Sequence, residues 1–180
     1  MLHVQPSQAV VYVWHMNADK RSASRVDSLV RGIRFTRIND GTARQCFKRF
    51  QSRFRAEGNY IFLTRMDFDK NWDPVFDVTI LPATDQLDVV RQIGTEAGNY
   101  DLSNEAIVAK LRSWNERYPF ELEVIDADRV EGYFAAAPQD PLRLAREITA
   151  FCPDVIEQGY GDTTKMVADL EQRFFWMWWD

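Results

Sequence analysis

The chain has few of the residues from which catalytic and metal centres are usually built. Its 180 residues include only two cysteines, Cys46 and Cys152, and only two histidines, His3 and His15. Two cysteines cannot form a disulfide framework, which favours a reducing compartment. The low count also argues against a metal site built from cysteine and histidine. We therefore predict no metal and no cofactor.

Long apolar segments and phosphate-binding loops are also lacking. No apolar run approaches the roughly 20 residues of a spanning helix. The first residues, MLHVQPSQAVVYVWHMN, lack the basic region and the continuous apolar run of a secretory signal. Gly94 and Gly98 alone are too weak a pattern for a phosphate-cradling loop. These absences predict a soluble cytoplasmic protein with no membrane partner.

What the chain does have is a polarised charge and many aromatic residues. Residues 1–65 carry 12 lysines and arginines against 4 acidic residues, whereas residues 66–180 carry 10 against 23. The split indicates either a basic arm for an acidic partner or a basic part that packs on the acidic remainder, which we favour. The acidic remainder would repel a nucleic-acid backbone, so we regard nucleic-acid binding as disfavoured.

Hydrophobic periodicity predicts an irregular mixture of helices and strands. The best helix starts at Thr42, ends at Gly58, and carries an apolar stripe from Ala43 to Phe54. Other helices are predicted near 24–31, from a Thr84 cap to 93, from a Ser103 cap to 118, from Asp140, and from about 162. Strands are predicted at 10–14, 60–64, 75–81, 120–125 and 130–136. This order predicts one α+β domain, residues 1–180, with helices packed on a mixed or antiparallel sheet.

The last residues form an aromatic segment, Phe174 to Trp179, followed by Asp180. No polar residue alternates within it, which is typical of a strand covered on both faces. The indole N–H groups of buried tryptophans need acceptors. We predict a buried C-terminal strand, with Trp178, Trp179 and Asp180 as candidate binding residues beside it.

Three separated motifs carry a resemblance to a known family. They are GTEAGNYDLSNEAIVAKLRSWNERYPF, LAREITAFCPDVIEQG and the final WMWWD. In this order they resemble the bacterial domain of unknown function 4253 over roughly residues 57–180, whereas residues 1–56 form a variable basic part. Tyr160-Gly161-Asp162 departs from the family pattern. The resemblance implies a small cytoplasmic α+β protein and recurring residues, but no reaction.

The CPDVIEQG stretch has a structural and a functional interpretation. Pro153 suits the first position of a short helix, Asp154 its first turn, and Gly159 a left-handed position just past its end. Alternatively, Cys152, Asp154 and Gln158 line a pocket, with Cys152 as a nucleophile and His15 as its base.

Asn99-Tyr100-Asp101 has the same two interpretations. Asn99 and Asp101 stabilise a turn through their own backbone. In the functional version, Asn99 and Asp101 meet Asp154 and Asp180 in a polar cleft, where paired carboxylates could perform acid–base work. The sequence leaves both open.

DFDKNWDPVFD, residues 67–77, resembles a calcium loop only in part. Asp67, Asp69 and Asn71 occupy the first, third and fifth positions. Trp72 stands where the loop needs glycine, and Val78 where it needs glutamate. A solvated acidic loop before a strand is the better interpretation.

Two hypotheses follow. The favoured one is a bacterial cytoplasmic protein-interaction domain without catalysis, such as an immunity or antitoxin-like protein that binds a basic toxin. The alternative is a small hydrolase-type enzyme that uses a cleft formed by Cys152, Asp154, Gln158 and Asn99. The enzyme hypothesis requires these side chains to converge on one cleft. In the interaction hypothesis the same side chains stabilise helix ends and turns.

Overall fold

A computed structural model describes residues 32–180. They belong to two compact units, which divide between Thr84 and Asp85. The strand predicted at 10–14, the helix near 24–31, and both histidines lie outside the described residues. The expectation of one domain stays a prediction.

The unit before Asp85 contains a three-strand antiparallel arrangement and one helix. Its elements are β1 (Ile33–Asn39), α1 (Asp40–Ala56), β2 (Asn59–Phe68) and β3 (Pro74–Pro82). β3 is central and pairs with β1 and β2. β1 was not predicted, because a bulge between Phe35 and Ile38 interrupts the two-residue alternation of its apolar side chains.

Helix α1 confirms the predicted apolar stripe. It starts two residues before Thr42, because the Asn39 side chain accepts a hydrogen bond from the Thr42 amide at 2.9 Å. The buried residues are those that the spacing predicted, namely Ala43, Cys46, Phe47, Phe50 and Phe54. They pack the helix against β2 and β3.

The unit from Asp85 to Asp180 holds the candidate site. Its helices are α2 (Gln86–Ile93), α3 (Asn104–Arg117), α4 (Pro141–Phe151) and α5 (Thr163–Glu171), and a π-helical turn spans Val155–Tyr160. Its strands are β4 (Phe120–Ile125), β5 (Arg129–Phe134) and β6 (Phe174–Trp178), with β5 central and both pairings antiparallel. Helices and antiparallel strands together confirm the α+β class.

The final strand is buried mainly on one face. Phe175 and Met177 are buried, and the Phe175 ring lies 5.1 Å from that of Phe120 and 4.8 Å from that of Phe134. Phe174, Trp176 and Trp178 are half-buried on the other face. The strand therefore closes a core, although its two faces are less equally covered than the unbroken apolar run predicted.

Of the three predicted capping residues, two are confirmed and one is wrong. Ser103 accepts from the Ala106 amide at 3.4 Å, and Asp140 accepts from the Arg143 amide at 2.9 Å, so both predicted caps are confirmed. The cap of α2 is Asp85 and not Thr84, and its carboxylate accepts from the Asp88 amide at 2.8 Å. No helix within residues 32–180 is long and apolar enough to cross a membrane.

Candidate functional site

Asp154 is the centre of a polar cluster in the second unit. Asp154 is 3% exposed, and its carboxylate accepts three hydrogen bonds. Oδ1 accepts from the Tyr100 hydroxyl at 2.7 Å and from the Gln158 amide at 3.0 Å, and Oδ2 accepts from the Asp180 backbone N–H at 3.0 Å. These partners come from a loop, the π-helical turn and the end of the chain, so one carboxylate joins three segments.

The chain turn after α4 places Asp154. The helix ends at Phe151, and the Cys152 amide makes its last bond, to the Ile148 carbonyl oxygen at 2.8 Å. Pro153 has no N–H with which to continue the ladder. The helical turn that follows is wider than an α-helical one. In this π-helical turn the Gly161 amide donates to the Ile156 carbonyl oxygen, five residues earlier, at 2.9 Å.

The cluster shifts the pKa values of its two titratable partners in opposite directions. The Asp180 N–H, followed by the Tyr100 and Gln158 donors, holds the pKa of Asp154 below its usual value, although burial opposes this. The same hydrogen bond to Asp154 raises the pKa of Tyr100 to about 12. At neutral pH, Asp154 is therefore an ionised acceptor and Tyr100 a neutral donor.

Asn99 holds the same chain end from the other side. Its side-chain amide donates to the Asp180 carbonyl oxygen. Asn99 and Tyr100 lie in a short 3₁₀ turn, Gly98–Tyr100, between the bridged residues Ala97 and Leu102. The cluster therefore holds both backbone groups of Asp180.

Two residues that the sequence analysis did not single out fix this loop. Thr95 is fully buried, and its hydroxyl donates to the Asp126 carbonyl oxygen at 2.6 Å. The Asn104 side-chain amide donates to the Val90 and Thr95 carbonyl oxygens at 3.0 and 2.8 Å. Both lie within the first family-like motif, which was the available signal for them.

Cys152 lies beside this cluster, but its thiol is engaged. The residue is fully buried, and Sγ donates to the Trp178 carbonyl oxygen at 3.0 Å. Burial raises the pKa of the thiol to about 11. The thiolate needed for nucleophilic attack is therefore strongly disfavoured at neutral pH.

The two tryptophans before Asp180 differ in burial. Trp178 is half-buried, whereas Trp179 is 2% exposed, and its ring makes an edge contact with Phe151 at 5.9 Å. The Trp179 amide donates to the Asp128 carbonyl oxygen at 3.0 Å, and its indole donates to the Phe151 carbonyl oxygen at 3.4 Å. The acceptor that the buried indole needs is thus a backbone carbonyl group at the end of α4.

Three sequence-based expectations for this region are wrong. Asp154 does not cap the turn that follows it, and the left-handed residue is Gly161, with φ 76°, in place of Gly159. A Cβ at Gly159 would lie 2.4 Å from the Trp176 ring, so this glycine provides close packing. Asp101 has a left-handed backbone, with φ 53°, and within residues 32–180 no hydrogen bond joins it to Asp154.

The arrangement can brace a backbone more readily than it can catalyse a reaction. A general base works best with a pKa near the working pH, whereas that of Asp154 is lowered. Its lone pairs already face three donors. Within the described part of the chain, no group of three histidine, cysteine or acidic side chains could hold a metal ion.

The acidic DFDKNWD segment forms the tip of the β2–β3 hairpin in the first unit. The Asp69 carboxylate accepts from the Asn71 and Asp73 amides at 2.7 and 3.0 Å. Trp72 is 80% exposed. The Asp69 carboxylate is thus used to shape a turn.

The second unit is thus an α+β arrangement in which a buried carboxylate holds the backbone that follows an aromatic strand. Residues 77–180 match the family described as Domain of unknown function (DUF4253), and the chain belongs to that family. The match begins within β3 and covers the whole second unit. No curated protein and no solved structure matches the chain.

Proposed function

We propose that this protein is a bacterial cytoplasmic protein-interaction domain without catalysis of its own, and that it binds a basic protein. An immunity or antitoxin-like protein that masks a toxic partner is the most concrete form of this proposal. The observation that carries it is that the Asp154 carboxylate already accepts hydrogen bonds from three donors. The side chains of Asn99 and Asp154 are engaged with the backbone of Asp180, which supports a role without catalysis.

Charge supports a basic partner. Residues 85–180 carry 19 acidic side chains against 9 lysines and arginines. A field of one sign accelerates the encounter with a partner of opposite sign and rejects partners of like sign. Because salt screens this field, the association should weaken steeply as the ionic strength rises.

The test is affinity capture from the source cells, followed by kinetics with the purified partner. We expect a basic protein to be retained at 50 mM salt and released at 500 mM, and its association rate to fall at least tenfold between them. A triple variant, Glu96→Gln, Glu116→Gln and Glu171→Gln, removes three exposed carboxylates of the second unit and should slow association.

The matched control neutralises exposed cations of the same unit, with Arg112→Gln and Lys165→Gln. It should leave the association rate equal to that of the wild type or raise it. No retained protein at 50 mM salt would refute the proposal. So would a partner whose association rate is the same for both variants.

One observation favours a hydrolase-type enzyme as the alternative. Asn99, Gln158 and Asp154 converge, as that hypothesis requires. The fully buried thiol of Cys152 and the lowered pKa of Asp154 speak against it. Turnover of p-nitrophenyl acetate that disappears in a folded Cys152→Ala variant would establish the enzyme in place of the interaction domain.

A further inference from the structure

The tip of the β2–β3 hairpin carries an aromatic pair that the fold does not cover. Trp72 is 80% exposed and Phe68 is 44% exposed. Their ring centroids are 6.0 Å apart, and the ring planes are inclined by 45°. The two rings therefore form an open wedge, and the Trp72 face contributes little to any core.

The hairpin tip holds this wedge in a defined shape. The Asp69 amide donates to the Asp73 carbonyl oxygen at 2.9 Å, and the Trp72 amide donates to the Asp69 carbonyl oxygen at 3.1 Å. Trp72 takes φ 65°, a left-handed conformation that large side chains rarely adopt. A rigid tip loses little conformational entropy when it binds a partner.

The base of the tip is fixed by Arg37 on β1. Its guanidinium pairs with Asp67 and donates to the Phe68 carbonyl oxygen at 3.1 Å. The Arg37 amide donates to the Asp77 carboxylate at 3.0 Å. The hairpin is thus tied to the neighbouring strand directly below the two rings.

Charge indicates which partner suits the wedge. Residues 67–73 contain three aspartates and one lysine, Lys70. The Phe68 amide and the Arg37 guanidinium hold the pKa of Asp67 below its usual value, so this carboxylate stays ionised. Within residues 32–180, no hydrogen bond or ion pair uses the Asp73 carboxylate, which follows Trp72 directly. An exposed indole face attracts a cation, and acidic residues before and after Trp72 in the sequence strengthen that attraction.

We propose that the Phe68–Trp72 wedge is an interaction surface that receives an arginine or lysine side chain of a protein partner. The cation lies over the Trp72 ring and pairs with the Asp73 carboxylate. This inference rests on the proposed function and specifies the chemistry of the partner's contact. Acidic side chains at the tip disfavour an anionic membrane surface as the occupant.

The test uses a hexa-arginine peptide as the probe and amide and indole NMR resonances of the full chain as the readout. We expect saturable shifts at residues 67–73 and at the Trp72 indole, and no such shifts with hexa-glutamate. Trp72→Asn should weaken peptide binding about two- to fivefold, the loss expected for an exposed cation–π contact. Asparagine is chosen because it tolerates positive φ, so the turn is preserved.

Three comparisons sharpen the test. Trp72→Tyr keeps an aromatic face and should retain most of the affinity. Asp73→Asn should weaken binding and flatten its salt dependence. Leu142→Ala removes another exposed apolar side chain, which is 45% exposed in the second unit, and should change nothing.

Shifts confined to residues 85–180, or equal affinity of wild type and Trp72→Asn, would overturn the inference. Binding of the tip to phosphatidylcholine vesicles in place of the peptide would also overturn it. If wild type and Trp72→Asn capture the same salt-sensitive partner equally well, the wedge inference fails while the proposed function stands. Peptide binding at the tip with no captured partner would instead overturn the proposed function.

Discussion

Replacing Asp154 by asparagine tests whether its carboxylate stabilises the fold by holding the backbone at Asp180. Asparagine has nearly the same shape, but it exchanges one acceptor oxygen for an N–H₂ donor. If its oxygen faces Tyr100 and Gln158, its nitrogen faces the Asp180 N–H, which then loses its acceptor. At least one hydrogen bond to an ionised acceptor is therefore lost.

The magnitude follows from that count. A hydrogen bond to a charged group contributes about 1.5–3 kcal/mol. For a chain of this size each kcal/mol lowers Tm by about 2–4 °C. Asp154→Asn should therefore lower Tm by roughly 3–12 °C at pH 7, measured by circular dichroism or differential scanning calorimetry.

The pH dependence gives a second readout. The pKa of Asp154 is lower in the folded state than the value of about 3.9 in an unfolded chain. Its contribution is therefore complete above that value and is lost as the pH falls through the folded pKa. The difference in the free energy of unfolding between wild type and Asp154→Asn should be constant from pH 8 to pH 5. Below about pH 4 this difference should decrease.

The matched control is Asp101→Asn, the same chemical change at an exposed neighbour with φ 53°. Asparagine is well tolerated at positive φ, so the free energy of unfolding should change by less than about 0.5 kcal/mol. An unchanged Tm for Asp154→Asn at pH 7 would refute the stabilising role of Asp154. A difference that persists undiminished at pH 3 would refute the role of the ionised carboxylate.

Three further predictions concern packing and titration in the same unit. Gly159→Ala should destabilise the protein by about 1–3 kcal/mol, because the new Cβ would lie 2.4 Å from the Trp176 ring. The control is Gly98→Ala, whose new Cβ meets open space. Chemical denaturation measures the free energy of unfolding of both variants, and equal values would contradict the packing role of Gly159. Cys152 should react with iodoacetamide roughly 100-fold more slowly at pH 8 in the folded than in the urea-unfolded chain, because burial raises its pKa to about 11. Peptide mapping would measure the two rates, and equal rates would contradict the raised pKa of the folded thiol. Glu147→Gln should cost about 1–2 kcal/mol at pH 7, because the carboxylate accepts from a guanidinium and an indole that lower its pKa to about 2. That difference should be lost as the pH falls from about 4.3 towards 2, and an acid titration of the two proteins in which it persists at pH 2 would disprove the ion pair.

The helices could be predicted because their signals are local. The apolar stripe of α1 and the caps Ser103 and Asp140 depend on residues within one or two turns of each other. β1 could not be predicted, because the bulge after Phe35 shifts Ile38 out of the alternation. The bulge itself depends on pairing with β3, a segment about 40 residues away.

The turn after Pro153 shows why local signals can also mislead. Gly159 fits the left-handed position that ends a regular helical turn. The chain forms a π-helical turn instead, which moves the left-handed residue to Gly161, and the space at Gly159 is filled by Trp176 from β6. That contact comes from a distant strand, so no pattern within CPDVIEQG contains it.

The sequence indicated several residues of the cluster but not their roles, and it did not indicate Thr95 or Asn104. Asn99, Tyr100, Gln158 and Asp180 do gather around Asp154. Residue types indicate which groups can accept or donate. Whether a carboxylate acts on a substrate or on backbone depends on which donors surround it, and those come from three separate segments.

The number of those donors explains why position 154 is an acid even though its pKa is unsuited to acid–base catalysis. Trp179 is buried, and the next residue's N–H must find an acceptor close to that buried ring. A carboxylate offers about four lone-pair sites on two oxygens, whereas an amide offers only one oxygen and a hydroxyl competes as a donor. With Tyr100, Gln158 and the Asp180 N–H all directed at one side chain, only Asp or Glu can accept from all three without presenting a donor. The shorter aspartate fits a position that is 97% enclosed, since residue 154 is 3% exposed.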